Sequence, residues 1–463
     1  MSTSATTVAR IGLGLATIPL LAACGSGPTL LNPSSGVNPS SHGSANAMTL
    51  AKDHVVYTFK GGADGVGPYG SLLFKNSEFY GTTFGGGTGN SGYGCGTVFK
   101  VSASGTKSTL YEFQCGTDGA EPEAGLTAGK GGVLYGDTLY GGGASLCSGG
   151  CGAVFELMPS GSGYSERVVY AFQGGTDGAN PIGNLLIDKS GTLYGTTDHG
   201  GGASACPGTS SAPAGCGTVF KLTPAGSGFT ETVLYAFQGG NDGALPSDAL
   251  IDVKGALYGT TQYGGGSTAC SSPSSPAGCG TVFKLTPSES NYTEKILYSF
   301  KGGTKDGSRP RSALLASKNN MLYGVTVNGG AAASSCTLNG IAGCGTVFEI
   351  RTSGKESVIH YFGVSAGDGQ LPFDENGLHA DSNGALYGTT ELGGGAKCAC
   401  GTVFSLTPSG SSYTEAILYS FTTQKDGTEP RSSLVADAAG TLYGADWLGG
   451  LKQSYGIVFS VAP

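Results

Sequence analysis

The chain repeats one short pattern seven times, and this repetition constrains the fold more than any other feature of the 463-residue sequence. An apolar residue followed by Tyr-Gly recurs every 55 to 65 residues, and a Val-Phe pair follows each copy. Repeats of this length are typical of units that cannot bury their apolar faces alone and therefore stack on one another. The seven tyrosines are Tyr80, Tyr135, Tyr194, Tyr258, Tyr323, Tyr387 and Tyr443.

Each repeat unit carries four short strand signals. In the third unit they cover residues 184–188, 192–197, 217–223 and 231–237, which are rich in Val, Leu, Tyr, Phe and Thr and are separated by Gly, Pro, Asp and Ser. Seven four-stranded antiparallel units predict an all-β, seven-bladed β-propeller. An open solenoid is the alternative, but it would need special capping repeats, which the sequence lacks.

The two ends of the repeat region predict a closed ring. Residues 54–59, HVVYTF, match the fourth strand of a unit, whereas residues 456–463, GIVFSVAP, match the third. We expect the N-terminal strand to pair antiparallel with residues 456–461 and so complete the last blade. This pairing removes two open sheet edges.

The segment before the repeats is typical of an export signal. Arg10 precedes the apolar run IGLGLATIPL and then LAAC, which resembles a bacterial lipobox. We expect residues 1–23 to be a lipoprotein signal peptide, Cys24 to be lipidated, residues 24–52 to be a flexible Gly/Ser/Pro tether and residues 53–463 to be the propeller. An ordinary secretory signal is the alternative, and both imply export. The predicted location is the bacterial cell envelope or surface.

Composition narrows the choice of partners. Charged residues make up 12% of the chain and its net charge is −8, which argues against nucleic acid and anionic lipid as ligands. No apolar run reaches the roughly 18 residues of a spanning helix. We therefore expect a monomer without cofactor, whose membrane contact is the lipid anchor.

The cysteines predict a disulfide framework. Thirteen cysteines suit an oxidising compartment. Five units place two of them between the second and third strands. In the first unit, a hairpin turning at Gly105 brings Cys95 opposite Cys115. Metal binding is the alternative, but no pair adjoins a suitable histidine or a second CxxC, so no metal site is predicted. The predicted pairs are Cys95–Cys115, Cys147–Cys151, Cys206–Cys216, Cys270–Cys279, Cys336–Cys344 and, with a very small ring that leaves it in doubt, Cys398–Cys400.

The unit LYGTT…GGG…GTVFKLTP…LYSF, followed by GG and DGxxP, resembles the GloVer tandem-repeat family of exported bacterial proteins. The resemblance covers about residues 55–463 and departs locally, for example in LYGDT at Leu134, LYGVT at Leu322 and LYGAD at Leu442. It implies a propeller-like repeat on the cell surface. It implies no known activity, so no catalytic residue is carried over.

Signals of catalysis are weak. The five histidines lack zinc-ligand spacing, and no GxSxG or phosphate-binding loop occurs. His360 replaces a strand tyrosine and is interpreted as structural. The Asp-Gly-x-x-Pro aspartate recurs in all seven units, which indicates turn capping, with calcium binding as the alternative. We expect a non-catalytic binding or scaffolding protein; the alternative is a polysaccharide lyase or hydrolase, for which Asp374-Glu375 is the nearest candidate.

Residues that vary between units are the candidates for ligand binding. The residue after each Asp-Gly-x-x-Pro proline begins the innermost strand, near the mouth of the central channel. The Asp-Gly loops and the cysteine loops should open on this same face. Aromatic rings stack on sugars or peptides, and arginine pairs with carboxylate or phosphate. We predict that five residues, named here the variable arc, bind an anionic extracellular polysaccharide or a protein: Tyr69, Arg311, Phe373, Arg431 and Trp447.

Overall fold

The computed structural model describes residues 54–463 except 90–92, 162, 210–211, 247, 271–274, 290, 332–335, 339, 374–376, 396–397 and 451–454. Within these residues the backbone forms antiparallel sheets and two single 3-10 turns, Gly62–Asp64 and Lys130–Gly132, and no α-helix. The sheets form seven four-stranded blades in a ring, which confirms the predicted seven-bladed β-propeller. The part of the chain described here contains no helix long and apolar enough to cross a membrane.

The blades are numbered by their Tyr-Gly motif, and the strands of each blade are numbered outward from the channel. The first strands are Val66–Pro68 and Leu73–Lys75, Thr127–Ala128, Ala179–Ile187, Gly243–Ala244 and Ile251–Val253, Gly307–Pro310 and Leu315–Ala316, Gly369–Gln370 and His379–Ala380, and Thr428–Pro430 and Val435–Ala436. The second strands are Glu78–Gly85, Leu134–Thr138, Leu193–His199, Ala256–Thr261 and Tyr263–Gly264, Met321–Gly329, Leu386–Thr390 and Leu392–Gly393, and Leu442–Leu448.

The outer half of each blade is more regular. The third strands are Thr97–Ser102, Ala153–Ser160, Thr218–Ala225, Thr281–Pro287, Thr346–Arg351, Thr402–Ser409 and Ile457–Val461. The fourth strands of blades 1 to 7 are Lys107–Glu112, Gly163–Ala171, Gly228–Ala236, Tyr292–Ser299, Glu356–Tyr361, Ser412–Ser420 and His54–Thr58. A small extra hairpin, Thr337–Leu338 with Ile341–Ala342, lies in the cysteine loop of blade 5.

A ladder of phenylalanines holds neighbouring blades together. The Phe that follows each fourth strand meets the Val-Phe phenylalanine of the next blade edge to face, with ring centroids 5.0–5.2 Å apart at all seven junctions. Phe172 and Phe220 form one such pair, and both are fully buried. The glycine of the Tyr-Gly motif makes room for this ring, because a Cβ on Gly195 would lie 2.6 Å from Phe220 Cζ. The repeat motif therefore encodes the packing between blades.

A second repeated contact explains the Cys-Gly pair before the third strand. The carbonyl of Cys216 accepts a hydrogen bond from the backbone N–H of Leu245 in the next blade, at 2.9 Å. Pro246 then packs over Gly217, where a Cβ would lie 2.6 Å from the proline Cδ. The residue before this proline is left-handed even where it is not glycine, a strain of about 1–3 kcal/mol per residue. The six non-glycine examples, with φ of 54–57°, are Glu121, Asn180, Leu245, Arg309, Leu371 and Glu429.

The N-terminal strand closes the ring, as predicted. His54–Thr58 pairs antiparallel with Ile457–Val461, with His54 opposite Ser460 and Thr58 opposite Ile457. Phe59 is 2% exposed and packs against Phe99 of blade 1. Blade 7 is thus built from both ends of the described chain.

Six disulfides join cysteines of the described residues, and their pairs are those derived above from the sequence. The paired Cα atoms lie 5.0–5.3 Å apart. Five bonds close a cysteine loop, and Cys95–Cys115 ties the first cysteine loop to the end of the fourth strand. The cysteine loops and the Asp-Gly loops contact each other, for example through the Gly201 N–H and the Gly175 carbonyl at 2.7 Å. Both sets of loops therefore lie on one face of the ring.

We expect removal of the Cys206–Cys216 bond to destabilise the protein by about 2–3 kcal/mol, since it closes a loop of about ten residues that is otherwise free in the unfolded chain. In the absence of reducing agent, the double variant Cys206→Ala with Cys216→Ala should unfold at a lower urea concentration than the parent protein. Ala214→Ser, an exposed change in the same loop, is the control. Equal urea midpoints for the double variant and the unreduced parent would contradict the prediction.

Candidate functional site

The five residues of the variable arc meet in one cluster on the loop face. The guanidinium carbon of Arg431 lies 4.3 Å from the ring centroid of Trp447 and 5.2 Å from that of Phe373. It lies 5.6 Å from the ring centroid of Tyr69. The guanidinium of Arg311 stacks on the ring of Phe373 at 4.2 Å. Blades 1, 5, 6 and 7 therefore contribute to one continuous group of side chains.

Two carboxylates neutralise the centre of this cluster. Arg431 Nη2 donates to Glu391 Oε1 at 2.8 Å and to Glu429 Oε2 at 3.3 Å, and Nη1 donates to the Tyr69 hydroxyl at 3.4 Å. Burial acts to lower the pKa of Arg431, but the nearby Tyr69, Glu391 and Glu429 outweigh it and raise the pKa. Tyr69 and Phe373 are only 4% and 6% exposed. Their rings are therefore covered by the protein's own arginines rather than open to solvent.

Trp447 fills a space that the repeat leaves in blade 1. The residue lies at the end of the second strand of blade 7. Its ring meets Tyr69 edge to face at 4.9 Å and lies 5.8 Å from Phe84. Gly67 faces the indole, and a Cβ there would lie 3.1 Å from Nε1. The other blades carry a side chain at the position of Gly67, so this glycine makes room for the tryptophan.

A cavity of about 440 Å³ lies beside the arc on the same face. Its polar lining comes from blades 2 to 5 and includes Glu123, Asp198, His199, Gln262 and Arg311. Arg311 belongs to both the cavity and the arc. Sequence analysis missed Asp198, His199 and Gln262. These residues could have been found from the sequence, because the positions after the LYGTT motif vary between blades in the same way as the position after the Asp-Gly-x-x-Pro proline.

Asp198 and His199 form a charged pair within this cavity. His199 Nδ1 lies 3.2 Å from Asp198 Oδ2. Burial acts to lower the pKa of His199, but the charge of Asp198 and a hydrogen bond to it outweigh this and raise the pKa. The cavity thus combines carboxylates, a histidine of raised basicity, an amide and a guanidinium. Such a set can bind hydroxyl groups and one anionic group.

A second set of polar clusters lies at the outer rim between blades, and the Asp-Gly aspartates form part of it. Asp242 Oδ2 accepts the backbone N–H of Gln238 at 2.8 Å and the hydroxyl of Tyr235 at 3.0 Å. These aspartates therefore cap the turn between blades. The next blade adds a glutamate, Glu294 in this case, whose pKa is raised to about 7 by burial and by the charge of Asp242.

The glutamates were missed in the sequence, although they stand four residues before the strand tyrosine or histidine. A β-bulge between the two positions turns the side chains to opposite faces of the blade, so Glu231 faces Asp177 of the preceding junction whereas Tyr235 binds Asp242 of the following one. Burial is the largest cause of the raised pKa in every case, and a nearby aspartate adds to it. In these rim clusters, the four glutamates with a pKa of about 7 are Glu166, Glu231, Glu294 and Glu356.

Among the described residues, two junctions carry a different side chain at the tyrosine or glutamate position. Between blades 7 and 1, Lys107 takes the place of the glutamate and its Nζ lies 3.0 Å from Asp64 Oδ1. Between blades 5 and 6, His360 takes the place of the tyrosine, beside Asp368 and Glu415. The structural interpretation of His360 from sequence did not anticipate these neighbours.

We expect the raised glutamate pKa values to make the folded protein less stable as pH rises from about 5 to about 8. Glutamate titrates at 4.5 in its reference state and at about 7 in these folded clusters. The folded state therefore binds more protons in this window, and its advantage is lost as pH rises through 7. Glu294→Gln mimics the protonated form, so its melting temperature should fall less between pH 5 and pH 8. The control is Glu289→Gln at an exposed turn of the same blade; an equal fall in both variants would contradict the assignment.

Comparison with known proteins identifies the repeat. The model of the Gloeobacter/Verrucomicrobia repeat family matches residues 31–272, 208–337 and 268–463. The chain belongs to this family. The match confirms the GloVer resemblance. No curated protein matches the chain significantly.

The solved structures similar to this repeat protein share little of its sequence. One is a protein of Bacteroides uniformis assigned as a 6-phosphogluconolactonase, 15% identical over 81% of this chain and 96% of that one, with a TM-score of 0.47. Another is a gluconolactonase of Xanthomonas campestris, 13% identical over 93% and 98% of the two chains, with a TM-score of 0.40. At these identities no activity is transferred to the repeat protein.

Some predicted features lie outside the described residues. These are the signal peptide, the lipidation site Cys24, the tether and the candidate acidic pair Asp374-Glu375.

Proposed function

We propose that this protein is an exported, lipid-anchored, non-catalytic binding module whose ligand is an anionic extracellular glycan. The observation that carries the proposal is the joining of the variable arc and the 440 Å³ cavity through Arg311. The invariant repeat residues are used in packing between blades, so the variable face is where specificity can arise.

The chemistry of the mouth supports a glycan. Glu123, Asp198 and Gln262 offer oxygen and amide groups that hydrogen-bond sugar hydroxyls. Arg311, held flat on Phe373, presents a planar donor that suits a carboxylate or sulfate group of the glycan. Arg431 is already paired with Glu391 and Glu429, so its role is to hold the aromatic rings in place.

Export supports the same proposal. Six disulfides in the described residues suit an oxidising compartment outside the cytosol. Lipidation at Cys24 and a tether over residues 24–52 would hold the propeller of residues 53–463 at the cell envelope as a monomer.

The test is retention of the protein on a panel of immobilised anionic and neutral glycans, with the soluble products analysed in parallel. We expect retention on an anionic glycan, weakening as salt rises, without cleavage. Arg311→Ala should reduce retention about tenfold or more, since a charge-assisted hydrogen bond contributes about 1.5–3 kcal/mol. The matched control is Arg351→Ala, an exposed arginine on the opposite face beside another groove.

The combined variant Arg311→Ala, Arg431→Ala and Trp447→Ala tests the arc as a whole. Full retention by a folded triple variant would show that the arc is not the site. Release of shorter glycan fragments by the unmodified protein would instead favour the lyase or hydrolase alternative.

A further inference from the structure

The junction between blades 5 and 6 brings three metal-ligating side chains together. His360 lies on the fourth strand of blade 5, Asp368 on the loop that follows and Glu415 on the fourth strand of blade 6. His360 Nε2 lies 3.4 Å from Glu415 Oε1 and 4.0 Å from Asp368 Oδ1. All three ligand atoms lie within 4.8 Å of one another.

The same three atoms are buried without a hydrogen-bond partner among the described residues. The side chain of Asp368 is fully buried. Its other oxygen, Oδ2, accepts the Val364 N–H at 3.0 Å, so the carboxylate is fixed with Oδ1 directed at the imidazole. A buried carboxylate oxygen without a partner is unfavourable, which indicates that a positively charged group belongs between these atoms.

The sister junctions show what is missing here. At the junction of blades 3 and 4, the hydroxyl of Tyr235 supplies a proton to Asp242 at 3.0 Å. The same bond, at 2.8–3.0 Å, joins the tyrosine and aspartate at the other five junctions. His360 occupies the tyrosine position but remains 4.0 Å from its aspartate. The substitution exchanges a proton donor for a metal ligand.

We propose that His360, Asp368 and Glu415 bind one divalent first-row transition cation, with Zn²⁺ as the best match, and that this cation joins blades 5 and 6. One imidazole nitrogen and two carboxylate oxygens are ligands that zinc accepts at about 2.0–2.2 Å in a tetrahedral arrangement. Such ligands stand about 3.3–3.5 Å apart. The 3.4 Å between His360 and Glu415 matches this spacing, whereas the 4.0 Å between His360 and Asp368 would have to shorten when the cation binds. Calcium prefers oxygen ligands alone, so the imidazole disfavours it.

The site is accessible from the rim. The side chains of His360 and Glu415 are 13% and 18% exposed, which leaves a path for the cation and a fourth position for water. The competing occupant is a proton shared by Glu415 and Asp368. It is favoured by burial and by the charge of Asp368, which raise the pKa of Glu415 to about 8.

The test is titration of ZnCl₂ into the full-length, tag-free protein after EDTA treatment, followed by calorimetry and by melting temperature. We expect uptake of one equivalent of zinc and a higher melting temperature with zinc. His360→Tyr restores the residue of the sister junctions and should fold, yet lose both effects. Glu415→Gln should lose zinc binding, whereas Glu294→Gln, the matched change at the junction of blades 3 and 4, should retain it.

Three results would overturn the proposal: no zinc uptake by the folded parent, equal uptake by the folded His360→Tyr variant, or tighter binding of Ca²⁺ than of Zn²⁺ at these residues. Because this site lies at the outer rim and not at the channel mouth, glycan retention and zinc uptake test separate proposals.

Discussion

A chain that starts at Lys60 is expected to lose about 5 kcal/mol or more of folding free energy compared with a chain that starts at Lys52. The shorter chain lacks the fourth strand of blade 7 and leaves Ile457–Val461 as an open edge. Val56 and Phe59 are buried in the structure, and each contributes about 1.5–3 kcal/mol by leaving water. Loss of the ladder hydrogen bonds to this strand adds to the cost.

Urea unfolding of the two chains measures this difference. The chain starting at Lys52 is the control, because it also lacks the preceding segment but keeps His54–Thr58. The shorter chain is also expected to self-associate, since an unpaired strand edge is a template for another chain. Equal stability of the two monomers would show that the closing strand is dispensable.

The second large effect is expected for Phe220→Ala, which should lower the free energy of unfolding by about 3–5 kcal/mol. Phe220 is fully buried between blades, packs against Phe172 at 5.0 Å and sits over Gly195. Its removal leaves a cavity that the rigid ring cannot close.

Phe229→Ala provides the comparison for Phe220→Ala. Phe229 lies in the fourth strand of the same blade but is only partly buried, with its nearest ring partner, Tyr135, 6.2 Å away. In the same urea titration, we expect Phe229→Ala to lower the free energy of unfolding by less than half as much as Phe220→Ala. A smaller effect at Phe220 than at Phe229 would refute the role of the phenylalanine ladder.

The parts of the fold that the sequence predicted are those written into every repeat. The Tyr-Gly and Val-Phe motifs specify strands and their packing, so blade number and ring closure followed from counting. The distance from Cys95 to Cys115 followed from a hairpin register, which is a local property of the chain. The spacing of residues along the chain therefore predicts contacts that form within a single blade.

The features that the sequence did not reveal depend on contacts between blades. The left-handed Leu245 is stabilised by a carbonyl about 30 residues away, that of Cys216, and nothing in its own neighbourhood indicates this conformation. The position of Arg431 was predicted, but its pairing with Glu391 was not, because the two residues belong to different blades. The same reason hid the approach of Glu415 to His360.

The pairing of His54–Thr58 with Ile457–Val461 also determines the order in which the blades can fold. During synthesis the first strand emerges about 400 residues before its partner, so it must wait unpaired until the whole chain has been made. Contacts this distant in sequence form slowly, because the cost of closing so long a loop precedes any gain from pairing. Meanwhile blades 1 to 6 can pair their own strands, and each of them has a disulfide that restricts its loop. The last kinetic step is therefore the completion of blade 7. Until this step is finished, the ring remains open and accessible to proteases and chaperones.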